Sequence, residues 1–331
     1  MFVALYRSCF WYICVIIGIG FIALHGKAFS STPPVNETPI YPDDTQLTAV
    51  SIPQDIERPT YLQPMIDSVF GTQVIRISDQ VGFGSNAMAL RHTDATNQPW
   101  NADGSLLMLG HTNPAALLDG QTYAFLRWVY QPSDAMWLHT DPHSMIGTLS
   151  DNNQLVRFDI RMDWSYEIMH TFDEFDVIGL GARQSNLSTD DRSLVFFGFT
   201  ENQTTLVVYD LQDETIGSRL DLGTDQVGTD EKTQLLSAAQ IGQDFYVPCR
   251  NTDRPGWAYI SHFGNDAPEK PYFGEAFVVK LDGSGTVNRF AHTHHTMQDN
   301  FANCPMVAPN QDGSRVLWAS DWGDVDAPVY T

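Results

Sequence analysis

The residues with most capacity for chemistry are histidines, which cluster with Cys and Arg in an otherwise strongly acidic chain. The 331 residues include 10 His, and 40 acidic side chains against 18 basic ones give a formal net charge of −22. The densest segment is 292–304, HTHHTMQDNFANC, in which His292, His294 and His295 precede Cys304. Imidazole and thiolate suit zinc and similar divalent metals, so these four residues predict a zinc-like site. The alternative is a polar loop, since the spacing matches no standard zinc motif.

A second set of residues combines an imidazole, guanidinium groups and a phenol. His92 lies in RHTDATNQPWN (91–101), and Arg250 lies in CRNTDRPGW (249–257), with Arg183 and Tyr246 elsewhere. A histidine can act as a base near neutral pH, and a guanidinium binds a carboxylate through two parallel hydrogen bonds. The plainer alternatives are a histidine hydrogen-bonded to a neighbouring loop and an arginine paired with one of the many carboxylates.

The elements that must position these residues are predicted to be strands. From about residue 60 onward, short β-branched and aromatic runs recur between Gly, Asp, Asn and Ser, which is typical of strands separated by turns. These runs are 74–77, 106–109, 194–197, 206–209, 277–280 and 316–319. We therefore predict an all-β domain over 60–331. Residues 31–59, rich in Pro, Thr and Asp, are predicted to be a linker or loosely held extension.

An internal repeat predicts how the strands are arranged. The segments 101–109, 188–197 and 310–320 share a small polar residue, an Asp, a turn and then a hydrophobic strand, and 132–140 and 241–249 are weaker copies. The five Asp residues of these turns are Asp103, Asp134, Asp190, Asp244 and Asp312. A hairpin repeated about every fifty residues is typical of a β-propeller. A β-sandwich with unrelated Asp turns is the alternative.

A radial arrangement would bring distant residues to one rim, because the first strand of each blade begins where the second strand ends. Anchored on the five Asp turns, that rim is predicted to hold His92, Arg183, His111, His139, His143, Cys249, Arg250, 292–295, Cys304, Asp321 and Trp322. Such a cluster predicts a basic, titratable pocket. His143 is a candidate for binding a substrate there. Trp100 and Trp322 are candidate sugar-stacking faces, with packing inside the blades as their alternative role.

Residues 1–30 resemble a secretory signal. Arg7 precedes the apolar run 9–24, and small residues at 28 and 30 fit a cleavage site. We expect a secreted or periplasmic protein with no membrane segment after cleavage, and a retained anchor is the alternative. Cleavage leaves Cys249 and Cys304, whose pairing the sequence leaves open. The chain ends in APVYT, a strand-like pattern that is compatible with a truncated C-terminus.

The sequence argues against several classes of function. The net charge of −22 argues against a nucleic-acid-binding protein, because phosphate recognition needs a basic surface. The sequence has no G-x-S-x-G motif, which disfavours a propeller-gated serine peptidase, and no glycine-rich phosphate loop.

Three segments, 91–109, 249–261 and 281–324, resemble the oligogalacturonate-lyase-like and ulvan-lyase-like β-propeller polysaccharide lyases. The resemblance covers about 60–331 and is firmest in the last forty residues. It implies seven blades and cleavage of a uronate-containing polysaccharide by β-elimination, whereas only five hairpins are visible as repeats, with 74–77 as a further outer strand. The oligogalacturonate lyases carry a metal-binding Gln and His-Pro-His-Pro run, where this chain has Phe301 and 304–307, CPMV. The ulvan-lyase-like branch is therefore the closer model, and His92 matches its first-blade histidine.

This resemblance implies a set of catalytic roles. Elimination next to a uronate needs a cation that neutralises the carboxylate, a base that removes the C5 proton and an acid that protonates the leaving oxygen. Arg183 or Arg250 suits the first role, His92 the second, and Tyr246 or a histidine of 294–295 the third. We expect a monomer whose partner is an acidic polysaccharide.

Two other functions compete with this interpretation. A non-catalytic exported propeller could bind a glycan or a protein partner at the same rim. An arabinanase-like hydrolase would need two or three carboxylates facing each other, and the predicted rim supplies few. A lyase requires His92, an Arg and a Tyr or second His to converge on one cleft.

Overall fold

A computed structural model describes residues 57–79, 91–92, 94–95, 97–110, 114–149, 152–162, 165–180, 186–222, 245–248, 250–262, 270–296 and 304–324. The predicted signal segment 1–30 and most of the predicted linker 31–59 lie outside these ranges. Within them the regular elements are all β-strands. No helix in the described residues has the length and apolar character needed to cross a membrane.

The strands form antiparallel sheets that follow one another along the chain. A first hairpin contains β1 (Pro64–Ile66) and β2 (Gln73–Ile75). The next sheet contains β3 (Leu106–Leu109), β4 (Ala115–Asp119) and β5 (Phe125–Val129). A four-stranded sheet follows, with β6 (Ser133–Trp137), β7 (Ser144–Thr148), β8 (Gln154–Asp159) and β9 (Tyr166–Thr171).

The second half of the chain continues in the same way. One sheet contains β10 (Val177–Gly179), β11 (Asn186–Leu187), β12 (Ser193–Thr200), β13 (Gln203–Asp210) and β14 (Thr215–Leu222). The next contains β15 (Phe245–Tyr246), β16 (Trp257–His262), β17 (Glu275–Lys280) and β18 (Val287–His292). A last hairpin pairs β19 (Ala308–Pro309) with β20 (Val316–Leu317).

Neighbouring sheets pack face to face through apolar side chains. Met108 and Val129 of the β3–β5 sheet pack with Trp137 and Phe158 of the β6–β9 sheet. The β6–β9 sheet in turn shares a core with the β10–β14 sheet, and the β15–β18 sheet shares one with Val307, which precedes β19, and with Val316 of β20. Each contact buries the apolar faces that these strands present, so these sheets stack against their neighbours in the chain.

The last hairpin returns to the first sheets. Leu317 of β20 lies in one core cluster with Ile77, which follows β2, and with Trp100 and Leu107 at the start of the β3–β5 sheet. Consecutive up-and-down sheets that pack in order and close on themselves define a β-propeller, as the sequence predicted. The described residues contain four sheets of three or more strands and the two hairpins. The seven blades implied by the family resemblance stay a prediction.

The strongest copies of the predicted repeat have the same turn geometry. In 101–106 and 310–315, the Asn side chain accepts the amide of the fifth residue on at 2.9 Å, and the Asp accepts the Ser amide at 3.0 and 2.8 Å. The Gly of each turn has a φ of +69°, a conformation that glycine adopts without steric penalty. In 188–193, Ser188 Oγ and Asp190 accept the corresponding amides at 2.8 and 3.1 Å.

The weaker copies were placed in the wrong register. Asp134 lies inside β6, and the turn that follows this strand is built on Asp141, which accepts the His143 amide at 3.0 Å. The corresponding turn before β16 begins at Asn251, whose carbonyl accepts the Arg254 amide at 2.9 Å. Asp244 lies outside the described residues. The prediction failed at 132–140 because the polar pair Ser133-Asp134 begins strand β6 and does not form the turn that follows this strand.

Candidate functional site

The two rims of the propeller can be distinguished at the two ends of strand β3. Trp100 pairs with Leu107 and leads into the turn 101–106 at one end of β3. At the other end of β3, the Gly110 amide donates to the Arg91 carbonyl at 2.7 Å. Arg91 and His92 therefore lie on the rim opposite the Asp turns. We call these the His92 rim and the Asp-turn rim.

A compact cluster of polar and sulfur-containing side chains surrounds His92. We define the His92 cluster as Arg91, His92, Asp94, Tyr246, Cys304 and Met306. His92 Nε2 lies 2.5 Å from the Met306 carbonyl oxygen, and Arg91 Nη1 donates to Met306 Sδ at 2.8 Å. Tyr246 packs against a small buried core that contains Cys304 and Met306. Strand β15 thus brings a phenol, and the segment before β19 brings a thiol, to the histidine that precedes β3.

Burial dominates the electrostatics of this cluster. Burial, together with the adjacent Arg91 charge, lowers the pKa of His92 from 6.5 to about 3, and the Met306 hydrogen bond opposes this shift only in part. His92 is therefore neutral near pH 7, with the Nε2 proton donated to the carbonyl. Its Nδ1 atom is buried and has no hydrogen-bond partner within the described residues, which leaves its lone pair available.

Arg91 is the cation of this cluster. Burial lowers the pKa of its guanidinium, and the charges of Cys304, Asp94 and Tyr246 act in the opposite direction. These three groups affect the pKa of Arg91 because they lie close to it in a site of low polarity. The sequence analysis missed Arg91 as a functional residue, although it directly precedes His92. Adjacency in the chain was the one available signal.

Arg250 and His143 lie on the Asp-turn rim and not beside His92. The Gln98 side chain donates to the carbonyls of both Arg250 and Pro309, at 3.2 and 3.0 Å, and Pro309 directly precedes the turn 310–315. The His143 amide is held by Asp141 within a turn of the same rim. The prediction of a single rim is therefore wrong for these two residues, because the turns after β6 and before β16 begin at Asp141 and Asn251.

His139 also lies on the Asp-turn rim. Its amide donates at 2.8 Å to Asp191, within the turn 188–193. Burial lowers the pKa of His139, and the charges of Asp191 and Arg250 act in opposite directions. Three other predicted rim residues, Arg183, His111 and Cys249, lie outside the described residues.

The predicted metal ligands diverge. His292 ends β18 beside Asp67, the His294 ring lies 4.2 Å from Trp322, and His295 Nδ1 lies 2.7 Å from the Thr293 hydroxyl. Cys304 packs in the His92 cluster instead. No three His, Cys, Asp or Glu side chains in the described ranges, which include all four predicted ligands, are arranged to hold a metal ion. The zinc-like site is therefore not assembled, because successive side chains of 292–295 face different neighbours.

The two candidate stacking tryptophans have different surroundings. Trp100 is 2% exposed, donates to the Gly120 carbonyl at 3.3 Å and belongs to a core cluster. It packs inside the propeller, as the alternative for this residue proposed, and its ring is not exposed at the surface. Trp322 is half-buried against His294 and also lines a cavity.

The sheet arrangement identifies the protein as a β-propeller. Comparisons with known proteins do not narrow this class to a family. No protein-family model and no curated sequence matches the chain. The chain is similar to the solved structure of TolB from Acinetobacter baumannii at a TM-score of 0.33 and 12% identity, over 78% of this chain and 53% of that one. A putative TolB from Agrobacterium tumefaciens gives 0.30 and 14%, over 70% and 71% of the two chains. A luciferin-regenerating enzyme gives 0.37 and 9%, over 73% and 92%.

Likenesses at TM-scores of this size carry no information about function. The chain spans about half the length of the first of these structures. Function must therefore be argued from the site itself.

Proposed function

We propose that the protein is an exported polysaccharide lyase that cleaves a uronate-containing, ulvan-like or pectate-like polysaccharide at the His92 cluster. The observation that carries this proposal is the convergence of Arg91, His92 and Tyr246 around Met306. A guanidinium, a neutral imidazole with an unpartnered nitrogen and a phenol are the three groups that elimination needs. The apolar segment at 9–24 supports export.

The chemistry follows from these groups. Arg91 pairs with the uronate carboxylate and makes the adjacent C5 proton more acidic. His92 Nδ1 takes that proton, the C5–H electron pair forms the C4–C5 double bond, and the C4–O bond breaks. Tyr246 donates its proton to the departing oxygen. Arg91 thus takes the role predicted for Arg183 or Arg250, because it is the guanidinium that directly adjoins His92.

A second candidate is a non-catalytic propeller that binds an acidic glycan or a protein. The observation that favours it is burial, since His92 is 1% and Arg91 3% exposed. A substrate would have to reach them past the half-buried Tyr246. A pKa of about 3 also makes His92 a weak base, and general-base efficiency falls when the pKa lies far below the operating pH.

Release of unsaturated product from ulvan, pectate, alginate and glycosaminoglycans, followed by ultraviolet absorbance, tests the proposal. The wild type is expected to act on at least one of these polymers. His92→Gln keeps a donor for the Met306 carbonyl but lacks the base, so its rate should fall by about 10²–10⁴-fold. His143→Gln, on the Asp-turn rim, is the matched control and should keep full activity.

The two candidates give different results in this assay. Retention of a polymer on an affinity gel without any unsaturated product, from wild type and variants alike, contradicts the lyase and supports the binding protein. Full activity in His92→Gln, with its fold verified by circular dichroism, would show that another residue is the base.

A further inference from the structure

A cavity of about 550 Å³ lies between β2 and β20, and none of the residues that define the His92 cluster lines it. This volume is within the range of about 300–1,000 Å³ that small-molecule sites occupy. Among the described residues, Val74 and Ile75 pair only with β1, and Val316 and Leu317 pair only with β19. The cavity is therefore walled by the edges of the first and last hairpins.

The charge of the lining is opposite to that of the protein. Arg58, Arg76 and Arg315 line the cavity, and no Asp or Glu is among its described lining residues. The whole chain, by contrast, has more than twice as many acidic side chains as basic ones. Such a local excess of guanidinium groups attracts an anion and can bind a carboxylate.

Two of these arginines are held in place by their neighbours. Arg315 Nη1 donates to the Gly120 carbonyl at 2.6 Å, and its guanidinium lies over the Trp100 ring at 5.5 Å. Arg76 Nη2 lies 3.7 Å from Asp79. Arg58 is exposed at the edge of the cavity. Guanidinium groups held at fixed positions on the wall give an anion a defined orientation.

The rest of the lining is largely aromatic and aliphatic. Phe70, Trp318 and Trp322 line the cavity together with Val316 and Leu317. The Trp318 indole is fixed by a 3.3 Å hydrogen bond from Nε1 to the Thr293 carbonyl. Aromatic walls of this kind favour an apolar body over a hydrated polar one.

We propose that this cavity binds a monocarboxylate with an apolar body, of the medium-chain fatty-acid type, with its carboxylate at the arginines and its chain against Trp318 and Trp322. The inference is independent of the lyase proposal, because it depends on other residues. It adds a second ligand site between the hairpins that close the ring.

Decanoate and decanol form a matched probe pair, with similar chains and with or without the charge. Quenching of tryptophan fluorescence in the full-length protein measures both affinities below the micellar concentration, because three tryptophans line the cavity. We expect saturable binding of decanoate with a Kd at least about tenfold lower than that of decanol, the difference typical of a charge-assisted contact.

The variant Arg58→Gln/Arg76→Gln should raise the Kd of decanoate about tenfold and leave that of decanol unchanged. Arg161→Gln, an exposed arginine paired with Asp159, is the control for the same chemical change and should behave as wild type. Equal affinities for the two probes, no saturable binding of decanoate, or an equal effect of Arg161→Gln would each overturn the proposal.

Discussion

The buried neutral state of His92 predicts a specific dependence of stability on pH. Its pKa is about 3 in the folded protein and 6.5 for an ordinary histidine. Between these values the unfolded chain binds a proton that the folded chain does not, so acid favours the unfolded state. Stability from this residue is therefore complete above pH 6.5 and is lost progressively as the pH falls toward 3.

The magnitude follows from the shift in pKa. A pH of 4.5 lies two pH units below the pKa of an ordinary histidine, so protonation of the unfolded chain at this pH corresponds to about 3 kcal/mol of lost stability. Full burial of the imidazole means that solvent screening does not reduce this figure. His92→Gln removes the titrating group and keeps a donor for Met306.

Urea denaturation at pH 7 and pH 4.5, followed by tryptophan fluorescence, measures the effect. The free energy of unfolding should fall by about 3 kcal/mol less in His92→Gln than in the wild type. His143→Gln leaves His92 in place and should show the wild-type difference. If His92→Gln also loses as much stability as the wild type, His92 is protonated in the folded protein and the interpretation of its environment is wrong.

Two further predictions concern buried charges near the first hairpin. Arg289 and Glu275 form a two-bond ion pair with side-chain exposures of 1% and 0%, so Glu275→Leu should lower the free energy of unfolding by about 3–5 kcal/mol. Glu275→Leu/Arg289→Met should regain most of that loss in urea denaturation, and a double variant as unstable as the single one would contradict this. Burial would raise the pKa of Asp67, but the His292 ring and the Phe70 and Val69 amides lower it to about 2. Asp67→Asn should therefore lower stability by about 2 kcal/mol at pH 7, with the difference disappearing by pH 2; an equal difference at both values would refute it.

The strands and the architecture could be predicted because they depend on local patterns. The run 106–109 is β3, and 206–209 lies within β13. The Asn and Asp turns at 101–106 and 310–315 are set by side chains that bond to amides a few residues on. The strand runs and the turns both depend on residues that are close in the chain, so they can be predicted from a single sequence.

The candidate site could be predicted only in part, because its members meet through packing. His92 and Tyr246 were identified by their chemistry, but Arg91 becomes a partner of Tyr246 only once the ring has closed. Arg250 lies on the other rim from the one predicted, because the sequence indicated a turn at Asp244 whereas the turn before β16 begins at Asn251. Burial of Trp100 likewise depends on Leu317, which is remote in sequence.

Some of the contacts that close the ring join segments far apart in the described chain. The Thr72 hydroxyl donates to the Phe290 carbonyl and the His292 amide donates to Asp67, across 218 and 225 residues. Joining segments so far apart carries a large loop-closure entropy, and such non-local contacts slow folding. We therefore expect the ring to close late in folding, after the individual sheets have formed. Until it closes, the apolar faces of the first and last hairpins are exposed to solvent.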